Sequence, residues 1–128
     1  IESDDEDWSG FGFLSLRACQ VTRDPATTSG LGDAHFTVRL VDADGDSSSI
    51  NINAFEGGIE EPYQRTSCGT GAGWGSEFET IRIDLDGFMV GATAVDLDRI
   101  DRLEFLFGPS LSSPAGRLGL DDIELNVN

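Results

Sequence analysis

The sequence has no lysine, one histidine, one methionine and two cysteines in 128 residues. Its eight basic residues are therefore all arginines, against 24 aspartates and glutamates, for a formal net charge of −16. So few cations argue against nucleic acid as a partner, because a phosphate backbone needs a basic patch and the whole-molecule field repels it. The same field disfavours an anionic membrane surface. No run approaches the ~20 apolar residues of a membrane span, so no membrane insertion is expected. One His and two cysteines without CxxC spacing leave too few ligands for a zinc site. No GxSxG, HExxH or phosphate loop is present, and a single His35 supports no Ser-His-Asp arrangement. Carboxylates abound, yet none stands out as the acid-base pair a glycosidase would need. The chain is not expected to be an enzyme.

Also missing is any 3.6-residue period sustained over ten residues. Short alternating segments take its place, separated by Gly, Pro and Asp turns. Residues 11–19 put Leu14, Leu16 and Ala18 on one face. In residues 35–41, Phe36, Val38 and Leu40 point inward, and Asp44-Gly45 signals a hairpin turn. The return strand, residues 49–54, directs Ile50, Ile52 and Ala54 inward. Residues 78–85 do the same with Ile81, Ile83 and Leu85, and residues 98–107 with Leu103, Phe105 and Phe107. A long irregular segment, 55–76, interrupts this order. One apolar and one polar face per strand is what two packed antiparallel sheets require. The fold class expected is all-β, an antiparallel sandwich.

The final stretch, residues 116–127, contains a phase slip. Leu118 and Leu120 alternate on one face, while Ile123, Leu125 and Val127 alternate one position out of step. A β-bulge at Asp121-Asp122 would absorb the extra residue and keep both halves on one core.

The chain opens Ile1-Glu2-Ser3-Asp4, which reads as a processed product or an excised fragment. Residues 1–10 form an acidic lead-in, and residues 11–128 a single sandwich domain. Cys19 and Cys68 are expected to form one disulfide in an exported protein, secreted or at the cell surface. Two reduced thiols are the alternative. A closed loop of this size would contribute on the order of 3–4 kcal/mol in the chain-entropy model.

The order of these pieces resembles the jelly-roll, galactose-binding-like β-sandwiches of carbohydrate-binding modules and accessory domains of secreted bacterial enzymes. The residues that carry the resemblance are 14–17, 36–40 with the Asp44-Gly45 turn, 78–88, 95–100 and 118–123. Such domains usually have another strand or two before the first one here, where only residues 1–10 precede it. The resemblance implies a structural calcium between the start of the domain and the final strand. Asp121 occupies the matching position, with Asp122 beside it. Glu2, Asp4, Asp5 and Glu6 could supply further oxygens, of which calcium takes six to eight. Asp42-Ala43-Asp44-Gly45-Asp46 begins like a calcium loop but lacks the later Glu, and reads as a hairpin turn.

Sugar binding calls for aromatic platforms and planar polar groups. Trp74, between glycines in the long segment, and Tyr63 are the candidates, whereas Trp8 is expected to cover a sheet edge or cap the core. Arg39, Asn51 and Asn53 on outward faces would supply hydrogen bonds. Arg17, Arg39, Arg82 and Arg102 all sit mid-strand on polar faces. On one sheet they could bind a carboxylated or sulfated glycan; cross-strand ion pairing is the simpler role. The function expected is a non-catalytic carbohydrate-binding module that targets an attached or partner enzyme to polysaccharide. The competing reading is a structural or protein-interaction domain that packs on a partner domain or at the cell surface.

Overall fold

A computed structural model describes residues 5–21, 32–55, 57–64, 74–75, 78–90, 94–113 and 117–127, except for the side chains of Tyr63, Gln64 and Trp74. The alternating segments become strands β1 (Phe13–Gln20), β2 (Thr37–Asp42), β3 (Ser47–Asn51), β6 (Glu79–Asp84), β7 (Ile100–Leu106) and β8 (Leu118–Asn126). A two-residue ribbon, β4 (Tyr63–Gln64) with β5 (Trp74–Gly75), lies inside the segment expected to be irregular. The chain is all-β: two three-stranded antiparallel sheets in the orders β6-β1-β8 and β3-β2-β7.

Alternation decides which side chains meet. Leu14, Leu16 and Ala18 of β1, Ile81 and Ile83 of β6, Val38 and Leu40 of β2, and Phe36 just before it are all buried in one cluster that joins the two sheets. Burial on this scale is the main favourable term for a domain of this size. Trp8 belongs to the same cluster at 6% exposure. Its backbone N–H donates to Leu97 C=O at 2.7 Å, its indole N–H to Asp5 C=O at 2.9 Å, and Ile100 N–H to Glu6 C=O at 2.8 Å. The end of the acidic lead-in is thus docked beside the start of β7.

The expected strand over residues 49–54 stops early. The Asn51 side chain accepts from Asn53 N–H and starts a 3₁₀ turn, Ile52–Ala54, so Ile52 is buried but Ala54 is exposed. Asn is a good cap because its short side chain reaches the free N–H groups of a following turn.

In β8 the bulge is present, one residue further along than expected. Ser15 faces Glu124 and Arg17 faces Asp121, so Leu16 alone opposes Asp122 and Ile123. Asp122 takes the left-handed conformation (φ 46°), which Asp tolerates better than most residues. Leu120 and Leu125 consequently both pack on the core. Ile123 sits in the bulge and is 47% exposed, and Val127 lies past the strand end at 67%. Neither points inward as the alternation suggested.

Between strands, loops are tied by few groups. The buried Gln20 amide donates to the carbonyls of Gly32, Ile59 and Glu60 at 2.8, 3.2 and 3.2 Å. Gly58 (φ 92°) lies so close to this region that a Cβ would sit 2.6 Å from Ala34 O, which already accepts from Ile59 N–H. Gly58→Ala is expected to lower stability by roughly 2–3 kcal/mol. Gly45→Ala, at φ 87° but in open space, should lose only about 1 kcal/mol of backbone strain. Urea midpoints of the two variants check the difference.

Candidate functional site

A cleft of about 730 Å³ opens between the connection that follows β7 and the first residues of β8. Its described lining includes Phe107, Pro109 and Ser110 from the connection, Arg117, Leu118 and Leu120 from the start of β8, and Ala34 and His35. Phe107 was expected to point inward. Its ring does rest on Phe36 (centroids 5.5 Å apart), yet it stays 54% exposed because the strand has ended at Leu106.

The connection is held by polar contacts to the end of sheet β3-β2-β7. Ser113 N–H donates to His35 C=O, and His35 N–H to Ser113 Oγ, both at 3.0 Å. Thr37 Oγ1 donates to Leu111 C=O at 2.7 Å. Gly108 N–H donates to Ser112 Oγ at 2.9 Å. Gly108 (φ 122°) and Ser110 (φ 71°) supply the left-handed turns that close this loop.

Asn51 fixes the state of His35. Its Oδ1 accepts from Asn53 N–H, and its Nδ2 faces Leu111 O at 3.2 Å and Thr37 Oγ1 at 3.3 Å. The same Nδ2 is 2.9 Å from His35 Nδ1. An amide nitrogen has no lone pair to offer, so Nδ1 must accept and the ring proton resides on Nε2. His35 therefore presents Nε2 as a donor.

Of the residues expected to bind sugar, Asn51 is committed to this scaffold. Asn53 is exposed beyond the end of β3. Arg39 lies mid-β2, opposite Glu104 and with its Nε donating to Ser49 Oγ at 3.0 Å. Tyr63 and Trp74 fall on the two strands of the short ribbon, where Tyr63 pairs with Gly75 and Gln64 with Trp74.

The four mid-strand arginines divide between the sheets. Arg17 and Arg82 belong to β6-β1-β8, Arg39 and Arg102 to β3-β2-β7. Arg17 pairs with Asp122 (3.2 Å) and lies over Phe78, while Arg82 lies over Phe13. Arg102 pairs with Asp101 and Glu104. Ion pairing and ring stacking absorb three of the four.

For calcium, the described residues offer little. Asp122 is already paired with Arg17, and Asp121 Oδ1 accepts from Asp122 N–H at 2.9 Å. Glu2 and Asp4 lie outside the described residues. No group of three or more metal-ligating side chains occurs among the described ones, so Asp121 and Asp122 by themselves fall short of calcium's oxygen count. The Asp42–Asp46 turn is a hairpin. Asp42 Oδ1 accepts from the N–H groups of Asp44 and Asp46, and Oδ2 from Asp96 N–H. Cys19 is buried and makes no disulfide among the described residues, and Cys68 lies outside them.

No family model, curated protein or solved structure matches the chain. Function must therefore be argued from the cleft. Phe107, Pro109 and Arg117 escaped sequence reasoning, although an aromatic directly before Gly108-Pro109 at a strand end was a usable signal: the turn leaves its ring half uncovered.

Proposed function

We propose that the chain is a non-catalytic glycan-binding module of the jelly-roll sandwich type, exported with or beside the enzyme it serves. Its sugar site is the cleft at Phe107. The observation that carries this reading is the Phe107 ring, half exposed on the cleft wall and braced from behind by Phe36. A pyranose has one apolar face, and a braced aromatic offers a flat surface for it at little entropic cost. Serine hydroxyls and loop carbonyls around the ring suit the sugar's hydroxyl edge. The two sheets joined by a single core support the sandwich assignment.

Affinity electrophoresis through gels containing cellulose, xylan, mannan, pectin or alginate tests the reading. At least one polysaccharide should retard the native chain. Phe107→Ala should weaken that retention about tenfold, the loss of roughly 50 Å² of stacked apolar surface at about 25 cal/mol per Å². Retardation by none of the gels would instead favour a domain that packs on a partner protein.

A further inference from the structure

The chain has one histidine, and it stands where the start of β2, the Asn51 cap and the connection over residues 108–113 meet. We propose that His35 is a pH latch for that connection. The neutral ring holds it against the end of sheet β3-β2-β7, and protonation of the ring releases it. The connection contributes Gly108, Pro109, Ser110, Ser112 and Ser113 to the lining of the cleft, so release changes the shape of the cleft. The latch goes beyond glycan binding and does not depend on it.

Hydrogen bonding sets the direction. His35 Nδ1 accepts from Asn51 Nδ2 across 2.9 Å. A protonated imidazole donates from both nitrogens and accepts at neither. Protonation therefore sets N–H against N–H. Asn51 has no cheap way to adapt, because both ends of its amide are engaged. Its Oδ1 accepts from Asn53 N–H at 2.9 Å, and its Nδ2 also faces Leu111 O at 3.2 Å and Thr37 Oγ1 at 3.3 Å. Turning the amide over offers Oδ1 to the ring, but sets NH₂ against Asn53 N–H and aims an oxygen at Leu111 C=O. Turning the ring over removes the contact outright. Thr37 is buried and His35 and Leu111 are half-buried, so a polar group that loses its partner here is costly. His35 also ties the connection through its backbone, to Ser113 N–H and Ser113 Oγ. A shift of His35 is thus felt at Ser113 directly.

Charged side chains on the elements around His35 belong to both signs. Arg39 lies further along β2, and Arg117 lines the same cleft. Asp33, Glu60 and Glu61 lie on the segments joined by the Ala34–Ile59 bridge, where a Cβ at Gly58 would sit 3.6 Å from that of His35. Residues 47–55 and 105–116 carry no charged side chain. The two arginines disfavour a further positive charge, while the three acids and the net charge of −16 favour it. The Asn51 contact exists only while the connection is held. It therefore decides which state a proton selects, and that state is the released one.

Nuclear magnetic resonance on the full chain tests the latch. A single histidine gives single ring signals, which report tautomer and protonation without overlap. At about pH 8 the ring nitrogens should show the Nε2–H tautomer. Between about pH 8 and pH 5, on either side of the ordinary imidazole range, hydrogen exchange corrected for its intrinsic pH dependence gives the protection of each amide. Protection of Asn53 and Ser113 N–H should fall about tenfold as the ring protonates, the factor that one hydrogen bond is worth. The amides of Leu14 and Leu16 in β1 should keep theirs. His35→Gln stays uncharged and still offers an oxygen to Asn51, so its protection should be the same at both ends of the range. An Nδ1–H tautomer at about pH 8, a ring still neutral at about pH 5, protection unchanged across ring protonation, or an equal fall in His35→Gln would each overturn the latch. The first three readings come from the native chain and need no variant.

Discussion

Phe36→Ala is expected to lower the free energy of unfolding by about 3–5 kcal/mol, the usual range for emptying a core aromatic site. Phe36 is fully buried and packs edge-on against Phe105, with ring centroids 5.7 Å apart at 75°. Total stabilities of single domains are about 5–15 kcal/mol, so this one change removes a large share. The urea midpoint measures it. Phe36 also supports Phe107, which ties stability to the glycan binding proposed for that ring. Phe36→Leu keeps much of the volume, so it should cost far less stability yet still slacken the Phe107 ring. Glycan retention should therefore fall in Phe36→Leu at temperatures well below its melting point. Full retention there would mean that Phe107 holds its position without the brace.

Asp42→Asn is expected to lower the melting midpoint by on the order of 5–10 °C at neutral pH. The Asp42 side chain is buried at the β2–β3 hairpin, and both its oxygens accept backbone N–H groups. In the variant an NH₂ group must face one of these donors. The Asp96 N–H is the main reason the Asp42 carboxyl titrates below the ordinary aspartate range; burial opposes the shift, while the N–H groups of Asp46 and Asp44 and the charge of Arg99 add to it. The sign follows from linkage. A lowered folded-state pKa stabilises the protein above the unfolded-state value near pH 4, and that stability is lost as pH falls through the folded value. The native chain should melt progressively earlier below pH 4. The gap between native and Asp42→Asn should narrow over the same interval. A gap constant from pH 7 to pH 2 would mean that the Asp42 charge plays no part.

Several of these features were legible in the sequence because they depend on near neighbours. Phe36, Val38 and Leu40 alternate over a clean run and end at Asp44-Gly45, so β2 and its hairpin could be read directly. The slip between Leu120 and Leu125 disclosed a bulge to within one residue. Other features depend on partners far along the chain. Arg17 and Arg39 look alike on their own strands, and only the strand orders separate them onto different sheets. The cleft combines residues 34–35, 107–113 and 117–120, and no local pattern links these three. A ribbon of two residues per strand, as in β4 and β5, is too short to leave a period. At Asn51 a side-chain cap overrode an alternation that would otherwise have continued through Ala54.

The bulge in β8 has a consequence beyond register. Among the described residues β8 lies at the margin of its sheet, paired with β1 on one side only. A foreign strand seeking to lengthen the sheet would need an unbroken row of N–H and C=O groups. It would meet a break at Asp122-Ile123 and the exposed carboxylates of Asp121, Asp122 and Glu124. A second copy, equally acidic, would be turned away by like charge as well as by misfit. The same two-residue irregularity that keeps Leu120 and Leu125 on one core thus guards this margin against fibre-like growth.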